Sequence, residues 1–167
     1  MTVYDTLFND SAYFTGPPIS EDMIINTEKI LGYRLPMSYI HLLRIKNGGS
    51  LNIQCYPTNK STPWGEDHLV IAGIYGIAGK LGIDTRFGSR HLIAEWGYPD
   101  IGIVIAGTPS SGHDAIMLDY SLCGLNGEPQ IIYVNTETEV NELEVIVLAD
   151  NFEIFIHKLV PCGNYNR

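Results

Sequence analysis

Apolar positions in the first third of the chain recur at helical spacing. Between Ser20 and Gly32, Ile24, Thr27 or Glu28, and Leu31 share one face. Ser20 is a plausible N-cap, Glu21 and Asp22 suit the positive end of the helix dipole, and Gly32 supplies a left-handed C-cap. A second helix is predicted from Pro36, with Tyr39, Leu42 and Leu43 on one face and Asn47-Gly48-Gly49 ending it. The two helices form a hairpin.

From Leu51 the period changes to two. Leu51, Ile53 and Cys55 alternate with Asn52, Gln54 and Tyr56, a half-buried strand that Pro57 ends. Residues 57–66 are a loop by composition. The run 68–77 reads as one strand bent near Gly73, followed by a glycine-rich connection holding Arg86 and Arg90. Residues 94–99 lead into a strand over 101–106, and a GTPSSG turn leads into HDAIMLDY. The loop CGLNGEP joins that strand to QIIYVN as an antiparallel hairpin, and a shorter strand is predicted at Val145 to Leu148. Phe152, Phe155, Ile156 and Leu159 then follow a helical period. Helices at both ends and strands between them predict an α+β fold: a central, mostly antiparallel sheet flanked by the N-terminal helical hairpin and the C-terminal helix.

Gly16-Pro17-Pro18 separates an arm, residues 1–18, from a single domain over 19–167. The order of the arm depends on whether Tyr4, Leu7, Phe8, Tyr13 and Phe14 find a surface to cover. A length of 167 residues suits one core, and 45% hydrophobic against 17% charged residues is a globular composition. Ten Lys and Arg against nineteen Asp and Glu leave a formal charge of −9, which disfavours nucleic acid and anionic membranes as direct partners and steers basic proteins toward the chain. Cys55, Cys123 and Cys162 are odd in number and lack CxxC spacing, so reduced structural thiols and a cytoplasmic setting are expected. The N-terminal sequence has no secretory pattern, and no apolar run is long enough to span a bilayer.

Candidate chemistry concentrates in GTPSSGHDAIMLDY, residues 107–120. Adjacent His113 and Asp114 resemble the metal-binding dyad of phosphohydrolases, with Asp119 as a third member of a hydrolase reading. Such a dyad must converge on one ion, however, and neighbouring residues of a strand point to opposite faces. His41, His68, His91 and His157 stand alone without HxH, HxxxH or HExxH spacing. Ser110 and Ser111 lie between two strands rather than at a strand-to-helix elbow, and the turn has no phosphate-binding lysine. A hydrogen-bonded turn is therefore favoured over a catalytic site, and no cofactor is expected.

The order of these pieces carries a resemblance. Ile24, Glu28, Leu31-Gly32, Leu35-Pro36, Tyr39, Leu43 and Asn47-Gly48-Gly49 form IxxxExxLGxxLPxxYxxxLxxxNGG. With IAGIYGIAG, EWGYPDIGI, SGHDAIMLDYSLCGLNGEPQIIYV and ADNFEIFI, the chain resembles the SUKH superfamily, which includes fungal cell-wall glucan-synthesis regulators, over about residues 19–160. The polar stretch 136–144 is its least typical part. The resemblance implies no enzyme activity, and many bacterial members look like immunity proteins that occlude a toxin domain, often a nuclease. A basic toxin domain is then the expected partner; a regulatory scaffold is the alternative, and a His113-Asp114 hydrolase the least favoured. Candidate contacts are exposed aromatics near acids: Trp64 with Glu66 and Asp67, Trp96 with Tyr98 and Asp100, and the turn residues His113 and Asp114. Trp96 is also expected to pack against the sheet, and Glu137, Glu139, Glu142 and Glu144 to form a solvated edge.

Overall fold

The computed structural model describes residues 2–110, 112–139 and 142–165. Ser111, Val140 and Asn141, named in the turn and the polar stretch above, lie outside the described residues, as do Asn166 and Arg167. The predicted helical hairpin forms as α2 (Glu21–Leu31) and α3 (Met37–Ile45) after a short α1 (Val3–Leu7). Ser20 accepts from the Met23 amide and Gly32 is left-handed at φ 81°, so both caps of α2 are those its sequence encodes.

Six strands make one antiparallel sheet in the order β1-β4-β5-β6-β7-β8: β1 (Gly49–Ser50), β4 (Gly73–Ile74), β5 (Gly102–Gly107), β6 (Asp114–Asp119), β7 (Gln130–Asn135) and β8 (Glu144–Ala149). A separate pair joins β2 (Cys55–Pro57) to β3 (His68–Val70). The alternation of β6 sends Ile116 and Leu118 to one face, where they join Ile103, Ile131, Tyr133 and Leu148 under α2, α3 and α5 (Phe152–Lys158). Ala115 and Met117 point the other way, with Val104, Ile132 and Val134, toward α4 (Ser89–Trp96). The sheet is thus covered on both faces, which accounts for the unbroken apolar runs in β5 to β7.

Three expectations are corrected. Residues 51–55 are not one strand: the segment 49–57 and the segment 68–74 run antiparallel, but four residues on one side, 51–54, face two on the other, Ile71 and Ala72. The ladder breaks there into two sheets, held across the gap by Leu51 N–H to Ala72 O and Ile71 N–H to Gln54 O. Second, the glycine-rich connection contains α4, whose Leu92, Ile93 and Trp96 cover the second face. Third, Cys55 and Cys162 are not reduced thiols: they form a disulfide across 107 residues, and Cys123 stays outside it. Val160 bridges Cys55, so the ladder itself brings the chain's tail beside β2 and sets the two sulfurs in reach.

The arm finds its surface. Leu7 is fully buried, Phe8 bridges Leu51, and the Asn9 and Asn52 amides bond Ser50 O and Leu7 O, which closes the β1 edge of the sheet. Asn47 holds the arm's far end, donating to Pro17 O and Ile77 O and accepting from the Ile77 amide. Beside it Gly48, at φ 84°, leaves no room for a Cβ, which would lie 2.6 Å from Gly76 N. No described helix is long and apolar enough to cross a membrane.

The disulfide closes a long loop in the unfolded chain, and the chain-entropy relation puts its effect at up to about 4–5 kcal/mol. Replacing Cys55 and Cys162 together by serine is expected to lower the unfolding free energy by about 2–4 kcal/mol. Urea unfolding of the wild type with and without a thiol reductant checks this; a midpoint indifferent to reduction refutes it.

Candidate functional site

Two elements meet at one end of the sheet: the turn between β5 and β6, and the loop between β2 and β3. Asp114, the first residue of β6, is 3% exposed and turns to the same side as Ile116. Its Oδ2 accepts from Trp64 Nε1 at 3.0 Å and from the Tyr133 hydroxyl at 2.6 Å. Its Oδ1 accepts from Ser110 Oγ at 2.5 Å and from the Thr108 hydroxyl. Four donors fill the acceptor positions of a carboxylate. Burial, and then the hydrogen bond and the negative charge of Asp114, hold the Tyr133 hydroxyl well above its ordinary pKa.

His113 leaves on the opposite face. Its ring packs edge-on to Trp96 at 5.3 Å between centroids, and its Nδ1 lies 3.1 Å from Glu137 Oε2 in an exposed pair. Tyr98 donates its hydroxyl to Gly112 O, and burial first, with Asp114 next, raises its pKa. Gly112 is required here: at φ 116° a Cβ would stand 2.4 Å from the Trp96 ring.

The His113-Asp114 pair therefore diverges, as strand alternation demands, and cannot close on one ion. Asp119, at the other end of β6 and about 17 Å along the strand, is occupied by the Ser121 amide and Gln130 Nε2. Among the described residues no group of three or more His, Cys, Asp or Glu could hold a metal ion. The turn is a structural hub.

Of the residues predicted from sequence, Trp64 and Asp114 meet on one face of the turn, and Trp96, Tyr98 and His113 on the other. Three acids lie elsewhere. Glu66 is exposed, Asp67 pairs with His68 Nδ1 at 2.9 Å, and exposed Asp100 lines a separate cleft with Tyr33 and Arg90. The pairing of each tryptophan with its sequence-adjacent acids is thus not what the fold assembles.

What it assembles is a groove of about 460 Å³ on the second face. Leu92 and Trp96 form one wall and Tyr13 and Phe14 the other, over a floor that includes Ala72 and Ala115. Tyr13 is 71% exposed and meets Phe14 edge-on at 5.0 Å; Phe14 in turn packs on Tyr75. Small residues and aromatic rings thus line the same concave, largely apolar surface. The arm's contribution was not predicted, since its aromatics were read only as residues that could anchor it. Their density, Tyr13-Phe14 beside a Gly-Pro-Pro stop, was the available signal.

Asp114→Ala strands the buried Tyr133 hydroxyl and Trp64 indole and is expected to cost about 3–5 kcal/mol, measured by urea unfolding; a loss under 1 kcal/mol would contradict the hub. Alkali provides a second check. The folded state keeps Tyr98 and Tyr133 protonated after the unfolded chain begins to lose those protons near pH 10, so stability is level below pH 10 on their account and falls above it. Burial raises the pKa of Tyr39, Tyr56 and Tyr120 as well, so they add to the same fall, and Tyr133→Phe is expected to make it shallower by one proton's worth, about 1.4 kcal/mol per pH unit.

The motif residues are accounted for by the same geometry. Glu28 accepts from the Leu35 amide, Tyr39 donates to Tyr75 O, and Asn47 secures both Pro17 and Ile77. No curated protein and no solved structure matches the chain. The family model described as SMI1 / KNR4 family (SUKH-1) matches residues 18–158. The chain belongs to the SMI1 / KNR4 family, the SUKH-1 group.

Proposed function

We propose that this protein is an immunity protein, which binds a cognate protein toxin and neutralises it stoichiometrically, without catalysis and without a cofactor. The observation that carries the reading is the open aromatic groove beside a turn whose buried carboxylate, Asp114, is bonded by Trp64, Tyr133, Thr108 and Ser110. Such a surface can dock a partner, and the one carboxylate among its lining residues, Asp114, is already engaged by four donors. Family membership supports a binding role, and the charge of −9 supports a basic partner, such as a nuclease domain whose phosphate-binding surface acidic side chains would cover. The cytoplasm, where such a toxin would act, is the proposed setting; under its reducing conditions Cys55 and Cys162 would stand as thiols and the domain would rest on its core alone.

Co-expression with a toxin domain encoded beside it is the test. A one-to-one complex that protects the cell, and whose association slows as salt rises, is the expected result. Tyr13→Ala removes an exposed groove wall and should weaken the complex tenfold or more. A chain that protects against no neighbouring toxin and forms no complex with one overturns the reading.

A further inference from the structure

The two edges of the main sheet are treated differently. The β1 edge is closed by the chain's own arm, through Phe8, Asn9 and Asn52. At the other edge, among the described residues, β8 pairs with β7 alone. As the last strand it turns alternate N–H and C=O groups outward; the Leu148 carbonyl is met by the Tyr56 hydroxyl at 3.0 Å. Natural edge strands are commonly guarded by lysine or proline. β8 reads Glu-Val-Ile-Val-Leu-Ala and has neither, and the bulge that its pairing with β7 carries at Leu148 leaves Glu144–Val147 as the regular, open part of the edge.

Its second-face side chains are also bare. Register places Ala115, Val134 and Val145 in one cross-strand row, and Met117, Ile132 and Val147 in the next. Ala115, Met117, Ile132 and Val134 are buried, whereas Val145 is 42% and Val147 56% exposed. The apolar rows that begin at the groove floor thus run out into solvent at β8, two strands or about 10 Å further on. Alongside β8 lies a cleft of about 450 Å³, bordered by Pro57, Thr58, Asn59 and Lys158. Exposed Glu142 and half-buried Glu144 mark the end where the strand begins, and Lys158 stands at the cleft.

We infer that the β8 edge accepts an extended segment of the partner protein as a seventh strand. That segment alternates β-branched residues and carries lysine or arginine at the end meeting Glu142 and Glu144. Backbone pairing supplies the fit, and the partner's inward residues pack beside Val145 and Val147. Charge decides against a second copy of this chain, because two edges of a protein with charge −9 would bring like-charged surfaces together. The inference rests on the protein-binding reading and names the chemistry of what is bound.

The probe is a fluorescein-labelled peptide, VTVTVKK, whose lysines meet Glu142 and Glu144 when it pairs antiparallel to β8 as the other strands of the sheet do, titrated against the whole chain by anisotropy, with VTVTVEE and a proline-interrupted VPVPVKK alongside. The lysine peptide should bind at least tenfold more tightly than either control, and more weakly as salt rises. Val145→Lys with Val147→Lys, both exposed positions, should weaken it at least tenfold, and Glu142→Lys with Glu144→Lys should abolish the preference for lysine over glutamate. Leu122→Lys, 82% exposed in the β6–β7 loop, should change nothing. Equal binding of the three peptides overturns the inference, as does self-association of the wild type that the valine variants abolish. A Val145→Lys/Val147→Lys protein that still neutralises its toxin with full affinity overturns the edge and leaves the immunity reading standing. Peptide binding by a chain that protects against no toxin supports the edge and overturns that reading alone.

Discussion

A buried carboxylate without partners would be too costly for a domain of this size to tolerate. Asp114 escapes that cost only because Trp64, Tyr133, Thr108 and Ser110 converge on it. Their convergence draws the β2–β3 loop, the β5–β6 turn and β7 to one point at the end of the sheet. Once the turn is fixed, Gly112 is pressed between the Trp96 ring and the Tyr98 hydroxyl, and His113 must leave on the second face. The position of the groove's far end thus follows from the hydrogen bonds of Asp114, itself one of the lining residues.

The letters by which the family is recognised do similar work elsewhere. Glu28 receives the amide of Leu35 where the helical hairpin turns, Tyr39 holds the backbone of Tyr75, and Asn47 ties the arm to the exit of β4. Each is a polar side chain satisfying backbone groups that no ladder or helix reaches. They are architectural. The groove and the β8 edge are lined instead largely by Tyr13, Phe14, Val145 and Val147, which none of the quoted motif pieces contains, together with Trp96 of the EWGYPDIGI piece.

Legibility followed the range of the physics. The caps of α2, the two-residue period of β6 and the hairpin to β7 depend on near neighbours, and all stand in the sequence. α4 was obscured because Gly88 precedes it as N-cap and Ser89 turns inward to accept from the Val104 amide, so no helix start was visible. The break at residues 51–54 depends on how many residues stand opposite, which no local period records. The disulfide was illegible for the same reason, since a pairing across 107 residues is a property of the folded ladder around Val160. At the candidate site, alternation correctly separated His113 from Asp114. Adjacency in sequence misled for Glu66, Asp67 and Asp100, which the fold carries away from the aromatics beside them.

The bond between Cys55 and Cys162 encloses every strand from β3 to β8. Cys162 follows all of them in order of synthesis, so the ring can close only after every one of these strands has been synthesised. Topologically the oxidised domain is a loop from Cys55 to Cys162 with the segment that bears α1, α2, α3 and β1 attached to it, and a protease that cuts once within the loop releases nothing. A nick at the exposed 121–127 connection would leave two pieces joined by sulfur and by the β6–β7 ladder. Such a particle keeps its shape after a cut that would otherwise halve it.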